Sequence, residues 1–137
     1  MRSRTTITAG LTALAVHAVL LASIAAAASL TVQSKEGLGS YLADDKGMTL
    51  YRFTKDGPDR SACGAANDCL KKWPLFLADT TEQGPGVDPA AAGVMTREDG
   101  ARQSTYKGQP LYYFFKDKAG GDTNGQGVNG VWFVVAP

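Results

Sequence analysis

The 137-residue chain contains one histidine, His17, and two cysteines, Cys63 and Cys69. His17 lies in an N-terminal segment that we expect to be cleaved, so the mature chain would have no histidine. Without histidine, a Ser-His or Cys-His catalytic dyad cannot form. Zinc would need two more Cys or His ligands beside the two cysteines. The scarcity of these two residue types therefore excludes the commonest nucleophilic and zinc sites.

Enzyme motifs are also scarce. The sequence has no GxSxG nucleophile motif and no P-loop. Its cysteines do not form the CxxC or CxxCH patterns of redox and haem-attachment sites. The sequence therefore predicts neither an enzyme nor a bound cofactor.

The first 28 residues have the pattern of a secretory signal peptide. Arg2 and Arg4 give a positive start, an alanine-rich apolar run follows, and small residues end it. We predict cleavage after Ala27 or Ala28. A retained membrane anchor is the alternative, but the run is near the minimum length for a membrane span. The chain is therefore predicted to be exported.

Loss of the signal peptide leaves a nearly neutral mature chain, residues 29–137. Because Arg2 and Arg4 are removed, 12 basic residues face 13 acidic ones, a net charge of −1. A general nucleic-acid or anionic-membrane partner would need a basic surface, so we expect neither. The length fits one domain with a modest core.

Short strand-like runs between Gly-rich turns predict a mostly β domain. In the first half, residues 29–37 read as a polar lead-in, and residues 39–57 as a β-hairpin around the turn DDKG. Residues 65–72 predict a short helix, and residues 73–78 a strand. In the second half, residues 94–117 predict a three-strand meander, and the segment VWFVVAP predicts a last strand.

Two segments of the chain are nearly identical. KGMTLYRFTKD, residues 46–56, matches KGQPLYYFFKD, residues 107–117, and a tryptophan follows each copy, at Trp73 and Trp132. A single hairpin cannot bury its own aromatic face. We therefore predict two pseudo-symmetric halves in one domain, each covering the other. Repeat one spans about residues 38–78, a linker residues 79–93, and repeat two about residues 94–137.

The two copies of Tyr-x-Phe-x-x-Asp, the Cys…Cys…Trp-Pro segment between them and the ending GDTNGQGVNGVW resemble a known family. It is the secreted-repeat family of predicted lipoproteins with the motif Yx(FWY)xxD. The resemblance covers residues 41–137 and implies an exported bacterial protein, periplasmic or extracellular, without an established activity. Many members carry a lipid-modified cysteine at the cleavage site. Here LASIAAAAS has none, so we expect a soluble protein with no stable membrane anchor.

The cysteine pair is interpreted as a disulfide. Export places Cys63 and Cys69 in an oxidising compartment, where two cysteines pair by default. A soft Cu(I) site that recruits Met48 or Met95 is the alternative, but nothing in the sequence joins these methionines to the thiols. No metal site is predicted.

Asp56 and Asp117 end the two repeated segments at equivalent positions. We interpret them as turn caps whose carboxylates accept backbone N–H groups of the following loop. The alternative is a paired-carboxylate site for catalysis or a cation. The later segment DTNGQG begins like a calcium loop, but Phe133 stands where the bidentate glutamate belongs. Its glycines are instead expected to permit positive φ angles.

The strand aromatics are interpreted as core residues because ring side chains at period two on a strand usually pack. The predicted core members are Tyr51, Phe53, Trp73, Tyr112, Phe114 and Trp132. An aromatic groove for a sugar, a haem-like ring or a small apolar compound is the alternative. Tyr113 and Phe115 would face such a ligand, since their counterparts in the first half are Arg52 and Thr54.

These observations favour a non-enzymatic exported module that binds an envelope protein or a small ligand. An envelope metal or redox accessory protein that uses the cysteine pair is a second hypothesis. A hydrolase that uses Asp56 and Asp117 is a third.

Overall fold

The computed structural model describes residues 29–78 and 83–137. The predicted signal peptide and residues 79–82 of the predicted linker lie outside these ranges. Within them, no helix has the length and apolar character that crossing a membrane requires. Short strands dominate the described residues, which confirms the predicted mostly β fold. In chain order the elements are β1 (Thr31–Lys35), β2 (Gly39–Ala43), β3 (Tyr51–Phe53), α1 (Cys69–Lys72), β4 (Ala92–Thr96), β5 (Arg102–Tyr106), β6 (Gln109–Pro110) and β7 (Trp132–Val134).

Each half opens with an antiparallel hairpin. In the first half β1 pairs with β2 and places Val32 opposite Leu42. In the second half β4 pairs with β5 and places Val94 opposite Ser104. Residues 29–37 were expected to be a polar lead-in, and this expectation is wrong, because most of this segment forms β1. β4 begins at Ala92, inside the predicted linker.

The hairpin predicted over residues 39–57 forms only in part. Ala43 pairs with Thr49 as an isolated bridge, but β3 pairs with β7 and not with β2. Beyond this bridge the chain leaves β2, because the N–H of Tyr51 donates to the carbonyl of Tyr112. The carboxylate of Asp44 holds the turn that precedes the bridge. Its Oδ1 accepts the N–H groups of Lys46 and Met48, each at 2.9 Å, and this bends the chain into a tight loop.

The second half contains the predicted meander, in the order β4-β5-β6. The segment LYYFFKD was expected to form the last strand of this meander, but it is not one continuous strand. Tyr112 makes isolated bridges, and the N–H of Asp117 donates to the carbonyl of Phe114 at 3.1 Å, which closes a turn. This turn leaves Phe115 41% exposed, so the segment is not covered on both sides.

The last segment of each half, which we call its tail, pairs with the other half. β7, from the second half, pairs with β3, from the first. The first tail, residues 73–78, was predicted to be a strand, but only Leu75 forms a bridge, to Tyr112 of the second half. The predicted helix is divided into a 3-10 turn over Ala65–Asn67 and the short α1, because Asp68 adopts a left-handed φ of 57°.

Both core clusters draw residues from both halves, so neither half has a core of its own. The first cluster is mostly aliphatic and consists of Leu30, Leu42, Leu50, Phe76, Val87, Tyr106, Leu111 and Val135. The aromatic cluster consists of Tyr51, Cys63, Trp73, Tyr112, Phe114 and Trp132. The hydrophobic effect that stabilises the fold therefore requires both repeats together.

Candidate functional site

The two copies of the repeated motif meet at Tyr51 and Tyr112. Each tyrosine donates its backbone N–H to the carbonyl of the other, at 2.8 Å from Tyr51 N and 3.0 Å from Tyr112 N. Both side chains are fully buried. Equivalent residues are thus paired directly, and the two halves are related by an approximate two-fold axis.

The hydroxyl of each motif tyrosine reaches the aspartate of the other half. Tyr51 Oη donates to Asp117 Oδ2 at 2.6 Å. Tyr112 Oη donates to Asp56 Oδ2 at 2.8 Å. Hydrogen bonds to a carboxylate are stronger than those between neutral groups. The motif therefore encodes two reciprocal bonds between the halves, which we call the Tyr–Asp links.

The second oxygen of each carboxylate holds the loop that follows it. Asp56 Oδ1 accepts the N–H of Ala62 at 2.6 Å. Asp117 Oδ1 accepts the N–H of Asn124 at 2.9 Å and its Nδ2 at 3.1 Å. These are the bonds that a turn cap makes. Each carboxylate is thus bonded to the tyrosine of the other half and to the loop that follows it in the chain.

The aromatic motif residues form one column of stacked rings. Trp73 and Trp132 stack at its centre, with ring centroids 3.8 Å apart. Phe114 stacks on the outer face of Trp73 at 4.3 Å, and Phe53 on Trp132 at 4.2 Å. In each of these two outer pairs, the phenylalanine and the tryptophan belong to different halves. The column is therefore a second set of reciprocal contacts.

Burial shifts the ionisation of both motif tyrosines. It is the largest cause of the rise in the pKa of Tyr112 to about 12, and the nearby carboxylate of Asp56 contributes to the same rise. The pKa of Tyr51 is raised still more, by burial and by its bond to Asp117. Both phenols therefore stay protonated, and able to donate, at any physiological pH.

This shift predicts a loss of stability in alkali. Because the folded-state pKa of Tyr112 is raised, its contribution is fully present below about pH 10 and is lost as the pH rises through about 12. The part of this fall that Tyr112 contributes to the free energy of unfolding is roughly 2–3 kcal/mol, and Tyr51, whose pKa is also raised, adds to the total. Urea unfolding at a series of pH values measures it. In the variant Tyr112→Phe the fall should be shallower, and an unchanged slope would contradict the assignment.

A polar network joins the first-half loop to Arg97 and Gln103 of the second half. Arg97 is buried and donates to the Oε1 of Gln103, the Oγ of Ser61 and the carbonyl of Cys63. Ser61 Oγ lies 2.6 Å from Tyr112 Oη, so the network reaches the Tyr–Asp link. Sequence reasoning missed Arg97, Gln103 and Ser61, because nothing in their positions separates them from surface residues.

The network surrounds a carboxylate with a shifted pKa. Burial raises the pKa of Asp56, against the opposing effects of the Ala62 N–H, the Tyr112 hydroxyl and the Arg97 charge. A raised folded-state pKa means that Asp56 favours the folded state most at low pH. That contribution is lost as the pH rises through the folded-state pKa.

Cys63 and Cys69 form a disulfide that closes this loop. Cys63 is buried in the aromatic cluster, and Cys69 is partly exposed. No group of three or more His, Cys, Asp or Glu side chains is placed to bind a metal ion within residues 29–78 and 83–137. The cysteines therefore fix the position of the loop beside Asp56.

The equivalent loop of the second half is rich in glycine, and Gly125 packs directly on Tyr51. Its N–H donates to Tyr51 Oη at 3.1 Å. A Cβ at Gly125 would lie 2.7 Å from two atoms of the Tyr51 ring. Positive φ angles do occur nearby, as at Gly127, but Gly125 is needed for close approach. The spacing Gly-x-Gly-x-x-Gly here contains the 3-10 turn Val128–Gly130 and leads into β7, not into the helix of a dinucleotide site.

Replacing Gly125 with alanine is expected to destabilise the protein by about 1–3 kcal/mol, because the new methyl group would displace the Tyr51 ring. Thermal unfolding monitored by near-ultraviolet circular dichroism measures the change. Gly64→Ala is the matched control, since a Cβ at Gly64 meets nothing within 4 Å. Equal melting temperatures for the two variants would show that Tyr51 does not need this close approach.

A cleft of about 540 Å³ opens beside the first-half loop. The loop forms one wall with Gly64, Ala65 and Ala66, and the other wall follows the end of β4 and the turn after it. Arg60 and Glu98 face each other across the rim, 3.6 Å apart, and both are strongly exposed. A shallow cleft of this kind can accept a chain segment and offers charges of both signs.

The two residues predicted to face a ligand lie in different surroundings. Tyr113 is half-buried, packs edge-on against Phe76, and donates from its hydroxyl to Asp44 Oδ2 at 2.8 Å. Phe115 is exposed at a turn and touches Phe114. The structure therefore does not bring them together into one aromatic groove.

Comparison with known proteins identifies the family. A family model described as "Secreted repeat of unknown function" matches residues 32–77 and 93–136, one match in each half, and together these cover more than half of the chain. No curated protein and no solved structure matches the chain. The resemblance inferred from the motifs is thereby confirmed. The chain belongs to the Lipoprotein_15 family, the secreted repeats of unknown function.

Proposed function

We propose that this member of a secreted family is a non-enzymatic binding module and that the cleft beside the disulfide loop takes an extended polypeptide segment of its partner. The observation that carries the proposal is that the residues shared by both halves bond to one another, whereas the cleft lies among residues that the two halves do not share. The motif residues recur in both halves and bond to one another. The cleft lies beside the first-half loop, and the two cysteines of the chain form their disulfide in that same loop.

The chemistry of the motif residues supports a structural role for them. The acidic and phenolic groups are engaged in the Tyr–Asp links and in the loops. Among the described residues, no buried side-chain polar atom lacks a hydrogen-bond partner. A hydrolase that used Asp56 and Asp117 would have to break these bonds to free a carboxylate. A redox or metal accessory role would have to open the disulfide of Cys63 and Cys69 first.

The shape and charge of the cleft favour a polypeptide. Its walls combine small residues with Met95 and Thr96 at the end of β4, a strand that has a neighbouring strand only on the β5 side within the described residues. The free side of an edge strand can pair with an extended segment. The opposite charges of Arg60 and Glu98 at the rim would select a segment that carries both signs.

Selection of extended peptides from a displayed library on the purified exported protein tests this proposal. Enriched peptides should bind the natural protein and lose binding to Ala66→Trp, which fills the cleft. The matched control is Ala119→Trp, at an exposed alanine that does not line the cleft. Peptides that still bind Ala66→Trp would place the site elsewhere. No enriched peptide, together with turnover of a substrate by the same preparation, would overturn the binding function itself.

A further inference from the structure

Both halves make the same turn directly after their aromatic segment. In residues 53–56 and in residues 114–117 the last N–H donates to the first carbonyl, at 3.0 and 3.1 Å. Thr54 and Phe115 occupy the same position in the two turns. The chain thus contains two corners with one backbone geometry, and each serves as an internal reference for the other.

The support beneath the two corners is also equivalent. The N–H of Thr54 donates to the carbonyl of Val131 at 2.9 Å, and the N–H of Phe115 donates to the carbonyl of Lys72 at 2.9 Å. Val131 and Lys72 each directly precede the tryptophan of their tail. Because the backbone bonds are the same, the fold does not require an aromatic ring or a lysine at these positions.

The second corner nevertheless collects one exposed aromatic ring and three exposed lysines. Lys116 Nζ lies 5.6 Å from the centre of the Phe115 ring, and Lys118 Nζ donates to the Phe115 carbonyl at 2.9 Å. Lys72 is the third lysine, and its carbonyl accepts the N–H of Phe115. We call Phe115, Lys72, Lys116 and Lys118 the Phe115 corner. Of its lysines only Lys116 has a counterpart at the first corner, namely Lys55.

The acidic residues near this corner do not cancel all of its charge. Asp117 is buried, but its hydrogen bond to the neutral Tyr51 hydroxyl leaves its charge in place, so it opposes one lysine. Asp122, which accepts the backbone N–H of Lys118, opposes a second lysine, and Asp68 pairs with Lys71 at 2.8 Å. A net positive patch therefore surrounds Phe115, although the mature chain as a whole is nearly neutral.

We propose that the Phe115 corner docks the protein on an anionic phospholipid surface. The patch is a convex turn, so it fits a broad, deformable surface better than a small ligand, which needs a concave site. An aromatic ring flanked by lysines suits the headgroup layer, where the ring enters the interface and the cations neutralise lipid charge. The expectation of no anionic-membrane partner concerned the average charge and does not apply to this patch. This inference is independent of the cleft and of its partner.

Vesicle co-sedimentation of the purified exported protein tests this docking. Vesicles with phosphatidylglycerol should bind the protein, vesicles of phosphatidylcholine alone should not, and added salt should weaken the binding. Lys116→Gln combined with Lys118→Gln should lower the partition coefficient roughly twentyfold, because each lysine near a charged bilayer contributes about fivefold. Phe115→Thr, which installs the residue of the first corner, should lower it further.

The control is Lys55→Gln, which removes the equivalent lysine of the first corner and should leave vesicle binding unchanged. Thermal unfolding shows whether each variant is folded. Equal binding by the natural protein and the double lysine variant would overturn the proposal, as would no binding to anionic vesicles. Binding to soluble polyglutamate without binding to vesicles would overturn the lipid assignment. Ala66→Trp should bind vesicles normally, which separates this result from any failure of the peptide-binding proposal.

Discussion

Replacing Trp73 with alanine is expected to lower the free energy of unfolding by about 3–5 kcal/mol. Trp73 is only 4% exposed and lies between Trp132 and Phe114 in the ring column. Its loss removes two stacked contacts and leaves a cavity that the crossed tails cannot fill. Because a small domain is stabilised by only about 5–15 kcal/mol, this is a large part of the total. Urea unfolding with the disulfide intact measures it.

The approximate two-fold axis supplies the comparison for this result. Trp132→Ala should cost a similar amount, since Trp132 lies between Trp73 and Phe53 in the same way. Val94→Ala, at a valine that is 48% exposed, should change stability little. A cost below about 1 kcal/mol for either tryptophan would show that the column is not the stabilising centre of the fold.

Replacing Tyr51 with phenylalanine is expected to cost about 2–3 kcal/mol although only one oxygen atom is removed. The change leaves the buried Asp117 without its strongest donor and the Gly125 N–H without its acceptor. A buried polar group that loses its partner costs about 1–3 kcal/mol, and more when it is charged. Chemical denaturation at neutral pH measures the change.

Tyr41→Phe is the matched control for this prediction. Tyr41 is also buried, at 1% exposed, but within the described residues its hydroxyl is not bonded to a carboxylate as that of Tyr51 is. Its removal should therefore change stability by less than about 0.5 kcal/mol. If the two variants lost equal stability, the effect would belong to buried tyrosines in general and not to the Tyr–Asp links.

The sequence was sufficient to predict the repeat, the mostly β fold and the mutual cover of the two halves. It could not predict which aspartate each tyrosine would bind. Tyr51 and Asp56 are five positions apart in one segment, a spacing that suggests a bond within each copy. The structure instead joins Tyr51 to Asp117, because backbone pairing of the two tyrosines brings the far ends of the copies together. Such long-range pairing leaves no trace in local periodicity.

The crossed tails were unpredictable for a related reason. Residues 73–78 and β7 have similar patterns, and each could have paired within its own half. The pattern of residues 111–117 predicted a strand, and the only sign of the turn at Phe115 was an aromatic residue at the position that Thr54 has in the first half. Arg97 is one of 14 basic residues in the chain, and its burial depends on a loop from the other half.

A double-mutant cycle measures whether the repeated motif forms its bonds between the halves or within each half. The cycle combines Tyr51→Phe with Asp117→Asn, and a parallel cycle combines Tyr51→Phe with Asp56→Asn. Because Tyr51 is bonded to Asp117, we expect a coupling energy of about 1–3 kcal/mol for the first pair and a value near zero for the second. Coupling of Tyr51 to Asp56, with none to Asp117, would contradict this expectation.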